Sequence, residues 1–211
     1  MFKNILIIGC GLIGSSILKD SISKKISKNI YVFEKSKKNI SFIKKIDKKI
    51  KFLKKIDHQV SEMDLIVLCI HMSQYNDTIK KLQKYVSLKN IITDTSSTKR
   101  NIQSLIEKNK RLKKIFILSH PIAGSEMSGP EHGAKNLFKD KWCIIIKKND
   151  KLNKSSKKVE IFWRKLGSKI IFMNSVDHDK IFSITSHLPH LIAYNLVKTA
   201  IDFQKKNKKN I

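Results

Sequence analysis

Two stretches of the 211-residue sequence gather residue types that could do chemistry. The first is Gly9-Cys10-Gly11-Leu12-Ile13-Gly14. It follows an apolar run, "KNILIIG" at 3–9, and opens a segment with helical spacing. In that setting the glycines suit a dinucleotide. Gly9 would make the tight turn, Gly11 would let the backbone approach a pyrophosphate, and Gly14 would let helix and strand pack closely. The helix that begins at Leu12 and Ile13 would turn its free N–H groups toward the phosphates. Glu34 lies 20 residues after Gly14, at the end of the next apolar run. A carboxylate there would accept hydrogen bonds from the adenosine ribose. It favours NAD over NADP, because it would repel a 2′-phosphate; Lys35 and Lys37 weigh the other way.

The second stretch is "SHPIAGSEMSGPEHG" at 119–133, which holds three of the seven Gly and two of the three Pro. His120 precedes Pro121, so its backbone is pushed to extended conformations and the strand is expected to end there. Ligands in open α/β sheets bind beyond the carboxyl ends of strands. An imidazole so placed, with an ordinary pKa of ~6.5, could take a proton from a substrate hydroxyl. By position alone, a His that merely caps a strand fits as well. His187 and His190 are three apart and could share a helix face. No carboxylate or Cys at a ligand-like spacing completes a metal site with them, so no metal is expected.

The elements that must position these groups alternate. Apolar runs at 3–9, 29–35, 63–70, 90–97, 114–120, 141–148 and 168–174 read as strands. Helical spacing falls between several of them, after Gly11, over "SQYNDTIKKLQKYV" and "TKRNIQSLIEKN", and over "NKSSKKVEIFWRKLG". Alternation of this kind predicts a mostly parallel sheet covered on both faces. After residue 174 the pattern becomes helical throughout, with Pro189 marking a break or kink, and the charged tail "KKNKKNI" is expected to fray. The expected fold is therefore a Rossmann-type dinucleotide-binding domain over 1–173, followed by the start of an all-helical domain over 174–211.

Composition removes several classes. The net charge of +27 suggests nucleic acid, but only Arg100, Arg111 and Arg164 among the 44 basic residues are Arg, and the Lys are spread along the chain. Bidentate readers of bases and phosphates favour Arg, so no nucleic-acid partner is expected. No apolar run reaches the ~18 residues of a membrane span. The odd, widely spaced Cys10, Cys69 and Cys143 point to a reducing cytoplasm without a disulfide framework.

"HPIAGSEMSGPEHGAKNLFKDKWCII" (120–145), "TDTSSTK" (93–99) and "SHLPHLIAYNL" (186–196) closely resemble the motifs of the prephenate dehydrogenases, grouped with the arogenate dehydrogenases. The resemblance runs in order from the first strand to about residue 200. It implies an NAD-dependent oxidative decarboxylation of prephenate to 4-hydroxyphenylpyruvate, in tyrosine biosynthesis. His120 would match the catalytic base, and Ser97 would bond the same hydroxyl or the His. Glu126 would match a gating and ion-pairing Glu at the pocket mouth. His187, with Ser183 one turn earlier, would contact the substrate. The family continues past residue 211 with helices that form most of a homodimer interface and carry an Arg motif for a substrate carboxylate. None of Arg100, Arg111 and Arg164 stands at that motif, so the sequence reads as apparently lacking the C-terminal part. The apolar face of 181–201 is then an expected association site.

Overall fold

A computed structural model describes residues 2–147 and 153–207. β1 (Phe2–Ile8) is apolar on both faces, as a central parallel strand covered by helices must be. It runs into α1 (Leu12–Ser23), β2 (Ser27–Phe33), α2 (Lys37–Ile43) and a two-residue β3 (Lys51–Phe52). β4 (Leu65–Leu68), α3 (Tyr75–Leu82), β5 (Ile91–Asp94), α4 (Arg100–Glu107), α5 (Lys110–Ile115) and β6 (Phe116–Ile117) follow. These six strands form one parallel sheet in the order β3-β2-β1-β4-β5-β6. That is the doubly wound dinucleotide-binding order, with its switch point between β1 and β4.

The run at 114–120 is not one strand. Lys114 and Ile115 end α5, β6 stays in the parallel sheet, and β7 (Ser119–Pro121) starts a second one. There β7 pairs antiparallel with β8 (Trp142–Ile146), which pairs parallel with β9 (Lys169–Met173). The strand also does not stop at His120. Pro121 is still paired, opposite Cys143, which an edge strand tolerates. An apolar run shows burial but not which sheet takes each residue, so the split is a tertiary outcome. α2, β3 and α5 were likewise not expected: "KKNISFI" and "KRLKKI" are short and lysine-rich, with little apolar spacing to read.

α6 (Lys154–Leu166) joins β8 to β9. Asn153 caps its first turn through the Ser156 amide at 2.8 Å, and Gly167 closes it at φ +105°. Its Val159, Phe162, Trp163 and Leu166 pack on the β1–β2–α1 side of the core. Beyond β9, α7 (Ser175–Phe182), a π turn (Ser183–His187) and α8 (Leu188–Asn207) follow without a strand. The break expected at Pro189 is this π turn. Pro189 has no N–H and clashes with the carbonyl one turn back, and the wider turn accommodates both. The C-terminal part of the charged tail, 208–211, and the strand end at Lys148 lie outside the described residues.

Candidate active site

The glycine loop sits at the switch point. Gly9 has φ +83°, and a Cβ there would lie 2.4 Å from the Cys69 carbonyl oxygen at the end of β4. A Cβ on Gly14 would lie 2.2 Å from the Gly9 oxygen. Both glycines are demanded by packing. Gly11 is different: a Cβ would meet nothing within 4 Å. Its bareness leaves open space over the N-terminus of α1, where a pyrophosphate would lie. Leu12 and Ile13 are half-buried in the first turn.

Glu34 fastens this loop to the next. One carboxylate oxygen accepts the Cys10 amide at 2.8 Å, and the other accepts the Lys35 and Ser36 amides at 2.8 and 2.9 Å. A carboxylate has about four acceptor positions, so one remains for a ribose hydroxyl. Burial pushes the Cys69 thiol up to about 12 and the Cys10 thiol well above its usual value. Both stay protonated and set no negative charge beside the phosphate position.

His120 is placed by an anchored neighbour. The Ser119 amide donates to Asp94 Oδ1 at 3.0 Å, and its carbonyl accepts Lys99 Nζ at 2.6 Å. The Ser119 hydroxyl donates to the Asp94 carbonyl at 2.6 Å and accepts the Trp163 indole N–H at 3.0 Å. Lys99 is wholly buried, 2.6 Å from Asp94 Oδ2 and 2.9 Å from the Ser96 hydroxyl. β5, the β5–α4 turn and α6 thus converge on the backbone just before His120.

The imidazole of His120 faces the helical segment. Its Nδ1 lies 2.9 Å from His178 Nε2, and His178 Nδ1 lies 2.7 Å from Asp179 Oδ1. Asp179 also accepts the Lys99 amide at 2.8 Å and the Arg100 amide at 2.9 Å, at the start of α4. Phe182 packs against both rings, edge-on to His120 and tilted on His178, with centroids 5.0 and 4.8 Å away. Burial, and then the charges of Lys99, His178 and His187, bring the His120 pKa down to about 2. His120 is therefore neutral at ordinary pH. Burial also lowers His178, against the pull of Asp179. Burial pushes Asp179 up, but the Arg100 amide, the His178 ring and the Lys99 amide outweigh it, and its carboxyl sits below the usual range.

The other residues singled out from sequence are more open. Ser97 is exposed on the turn after β5 and makes no hydrogen bond to His120; Ser96 joins the Asp94–Lys99 network instead. His187 is half-buried at the end of the π turn, close enough for its charge to bear on His120. Ser183 is exposed and donates to the Lys180 carbonyl at 2.7 Å. Glu126 is exposed in the loop after β7. His178, Asp179 and Lys99 were missed as members of the site. The first two read as a helix start, where acids suit the dipole, and the third is one of many lysines. Among the described residues no group of three or more His, Cys, Asp or Glu could hold a metal, and no helix is long and apolar enough to cross a membrane.

A doubly wound sheet, a glycine loop at its switch point and a neutral histidine facing a helical segment define a dehydrogenase of the dinucleotide-binding class. The comparisons narrow this. Residues 20–172 match the family model "Prephenate dehydrogenase, nucleotide-binding domain", and 174–211 match "Prephenate dehydrogenase, dimerization domain". The cyclohexadienyl dehydrogenase of Zymomonas mobilis is 29% identical over 99% of this chain and 71% of its own length. The prephenate dehydrogenase of Lactococcus lactis is 31% identical over 97% of this chain and 56% of its own length. Among solved structures, prephenate dehydrogenase from Aquifex aeolicus, in complex with hydroxyphenyl propionate and NAD+, superposes with a TM-score of 0.86. It is 29% identical and covers 96% of this chain and 70% of that one. This chain belongs to the prephenate dehydrogenase family.

Proposed function

We propose that the chain carries out the NAD-dependent oxidative decarboxylation of prephenate to 4-hydroxyphenylpyruvate in tyrosine biosynthesis, in the cytoplasm. The observation that carries this reading is His120: half-buried, neutral, anchored through Ser119, and set between the dinucleotide fold and the helical segment. Gly9, Gly11, Leu12, Ile13, Gly14 and Glu34 would hold the cofactor; the open space over Gly11 and the spare lone pair on Glu34 fit it. When bound, NAD+ supplies the hydride acceptor for C4 of the substrate ring. His120 takes the proton of the C4 hydroxyl, and an electron pair of that oxygen forms the C4=O bond as the C4–H pair leaves with the hydride. Loss of the ring carboxylate as CO2 makes the ring aromatic, and His120 returns the proton to the phenolate oxygen. Ser97 would bond the reacting hydroxyl. His187, Ser183 and Glu126 would line the substrate side, and the half-buried His187 supports this most directly.

A turnover assay with prephenate and NAD, and in parallel with arogenate and with NADP, tests the reading. NADH formation from prephenate is the expected result. Turnover of arogenate alone would move the substrate to the amino form, and NAD binding without turnover of either would sink the activity for this chain. His120→Asn is expected to cut turnover by ~10²–10⁴ while NAD affinity stays the same. An equal loss of NAD binding would assign His120 to the fold instead.

A further inference from the structure

The geometry points to His178 as a positioning residue that fixes the tautomer of His120, so that Nε2 of His120 is the atom that receives the proton. The inference rests on His120 acting as the base. Its argument runs inward from Asp179, whose carboxylate already accepts two backbone amides, those of Lys99 and Arg100. An ionised carboxylate can only accept, so the 2.7 Å contact makes His178 Nδ1 the donor. A neutral His178 then has its lone pair on Nε2. That nitrogen lies 2.9 Å from His120 Nδ1, which must therefore be the N–H. The remaining lone pair of neutral His120 is on Nε2. Each donor assignment follows from the one before, and the start of the chain is held by backbone.

The same line of groups serves the protonated state. When Nε2 takes a proton, Nδ1–H keeps donating to His178 Nε2, so the ring holds its orientation. Phe182 covers both rings and restrains their rotation. Lys99 and Arg100 belong to the dinucleotide-binding fold, and His178 and Asp179 to the segment after β9. The orientation of the base is thus set across the two matched regions.

The direct measurement is ¹⁵N NMR of the histidine rings in the unliganded chain at neutral pH. His120 and His178 are both expected as the Nδ1–H tautomer. An Nε2–H or mixed tautomer at His120 would overturn the inference. This readout needs no substrate, so it stands even if prephenate is not turned over, and failure of turnover alone counts against the proposed function only. The kinetic counterpart is a pair of variants. His178→Phe keeps a ring but offers no acceptor, and is expected to lower kcat by ~10² with KM and NAD affinity within about two-fold. His178→Gln, whose amide oxygen can accept from His120 Nδ1, is expected to regain most of that loss. Equal kcat values for the Phe and Gln variants would assign His178 to packing.

Discussion

At the scale of single residues, the three glycines of the loop separate packing from binding. Gly14→Ala would place a methyl against the Gly9 carbonyl and is expected to cost about 1–3 kcal/mol of stability, as overpacking does. Gly11→Ala would meet no protein atom, and the φ of −75° there is open to alanine. Its thermal midpoint is expected to match the parent within a degree or two, while its NAD Kd rises ~10-fold by intrusion on the ligand. Calorimetry of the unliganded and NAD-titrated variants checks both. A fall in the Gly11→Ala midpoint would show that the space over the loop belongs to the fold. His120 makes a second prediction. Its pKa is about 2 in the folded chain and ~6.5 when unfolded, so between these values the unfolded chain binds a proton that the folded chain does not. Stability is untouched above about pH 6.5 and falls as pH drops below it, by up to about 1.4 kcal/mol per unit. Urea unfolding at pH 7 and pH 5 should show a smaller difference in His120→Asn than in the parent. An unchanged difference would mean that His120 is not held neutral in the folded chain.

At the scale of elements, the β5–α4 turn carries more than its length suggests. Within six residues, Asp94 to Lys99, it holds a buried ion pair, fixes Ser119 and offers the Lys99 amide to Asp179. Removing one member of a buried pair leaves the other uncompensated. Lys99→Met is expected to lose about 3–5 kcal/mol in urea unfolding, against about 0–1 kcal/mol for an exposed pair. A loss in the exposed range would contradict the burial. Much of this element level was legible in the sequence. The apolar runs at 3–9 and 29–35 and the alternation after them gave β1, β2 and the parallel sheet. The glycine spacing placed the loop, and the position before Pro121 drew attention to His120. What was not legible is pairing over distance. His178 stands 58 residues from His120, and a His-Asp pair at a helix start reads locally as capping. Lys99 vanishes among 41 lysines whose ordinary place is solvent, and nothing in "KIFILSH" marks where one sheet ends and another begins.

For the whole molecule, the end of the chain is the informative region. Leu191, Tyr194, Leu196 and Val197 of α8 are 60%, 76%, 66% and 59% exposed, far more apolar surface than a helix usually shows to water. α8 lies in the part matched by the family's dimerization domain. Light scattering over a dilution series is expected to show a mass above the 24.4 kDa of one chain that falls on dilution. Leu196→Lys with Val197→Lys should shift that equilibrium toward the single chain. A constant 24.4 kDa at all concentrations would show that the face does not associate.

The contact between His120 and His178 also has an order in time. Ribosomes deliver a chain from its N-terminus at about 5–20 residues per second. His120 is synthesised 58 residues before His178, a lag of about 3–12 s, and the turn that anchors Ser119 is made earlier still. Over that interval the nascent chain already carries the residues of its glycine loop, its six parallel strands and Lys99, but not the His178 imidazole. A chain halted at Met173, the end of β9, carries His120 and the groups that anchor Ser119 but neither His178 nor Asp179.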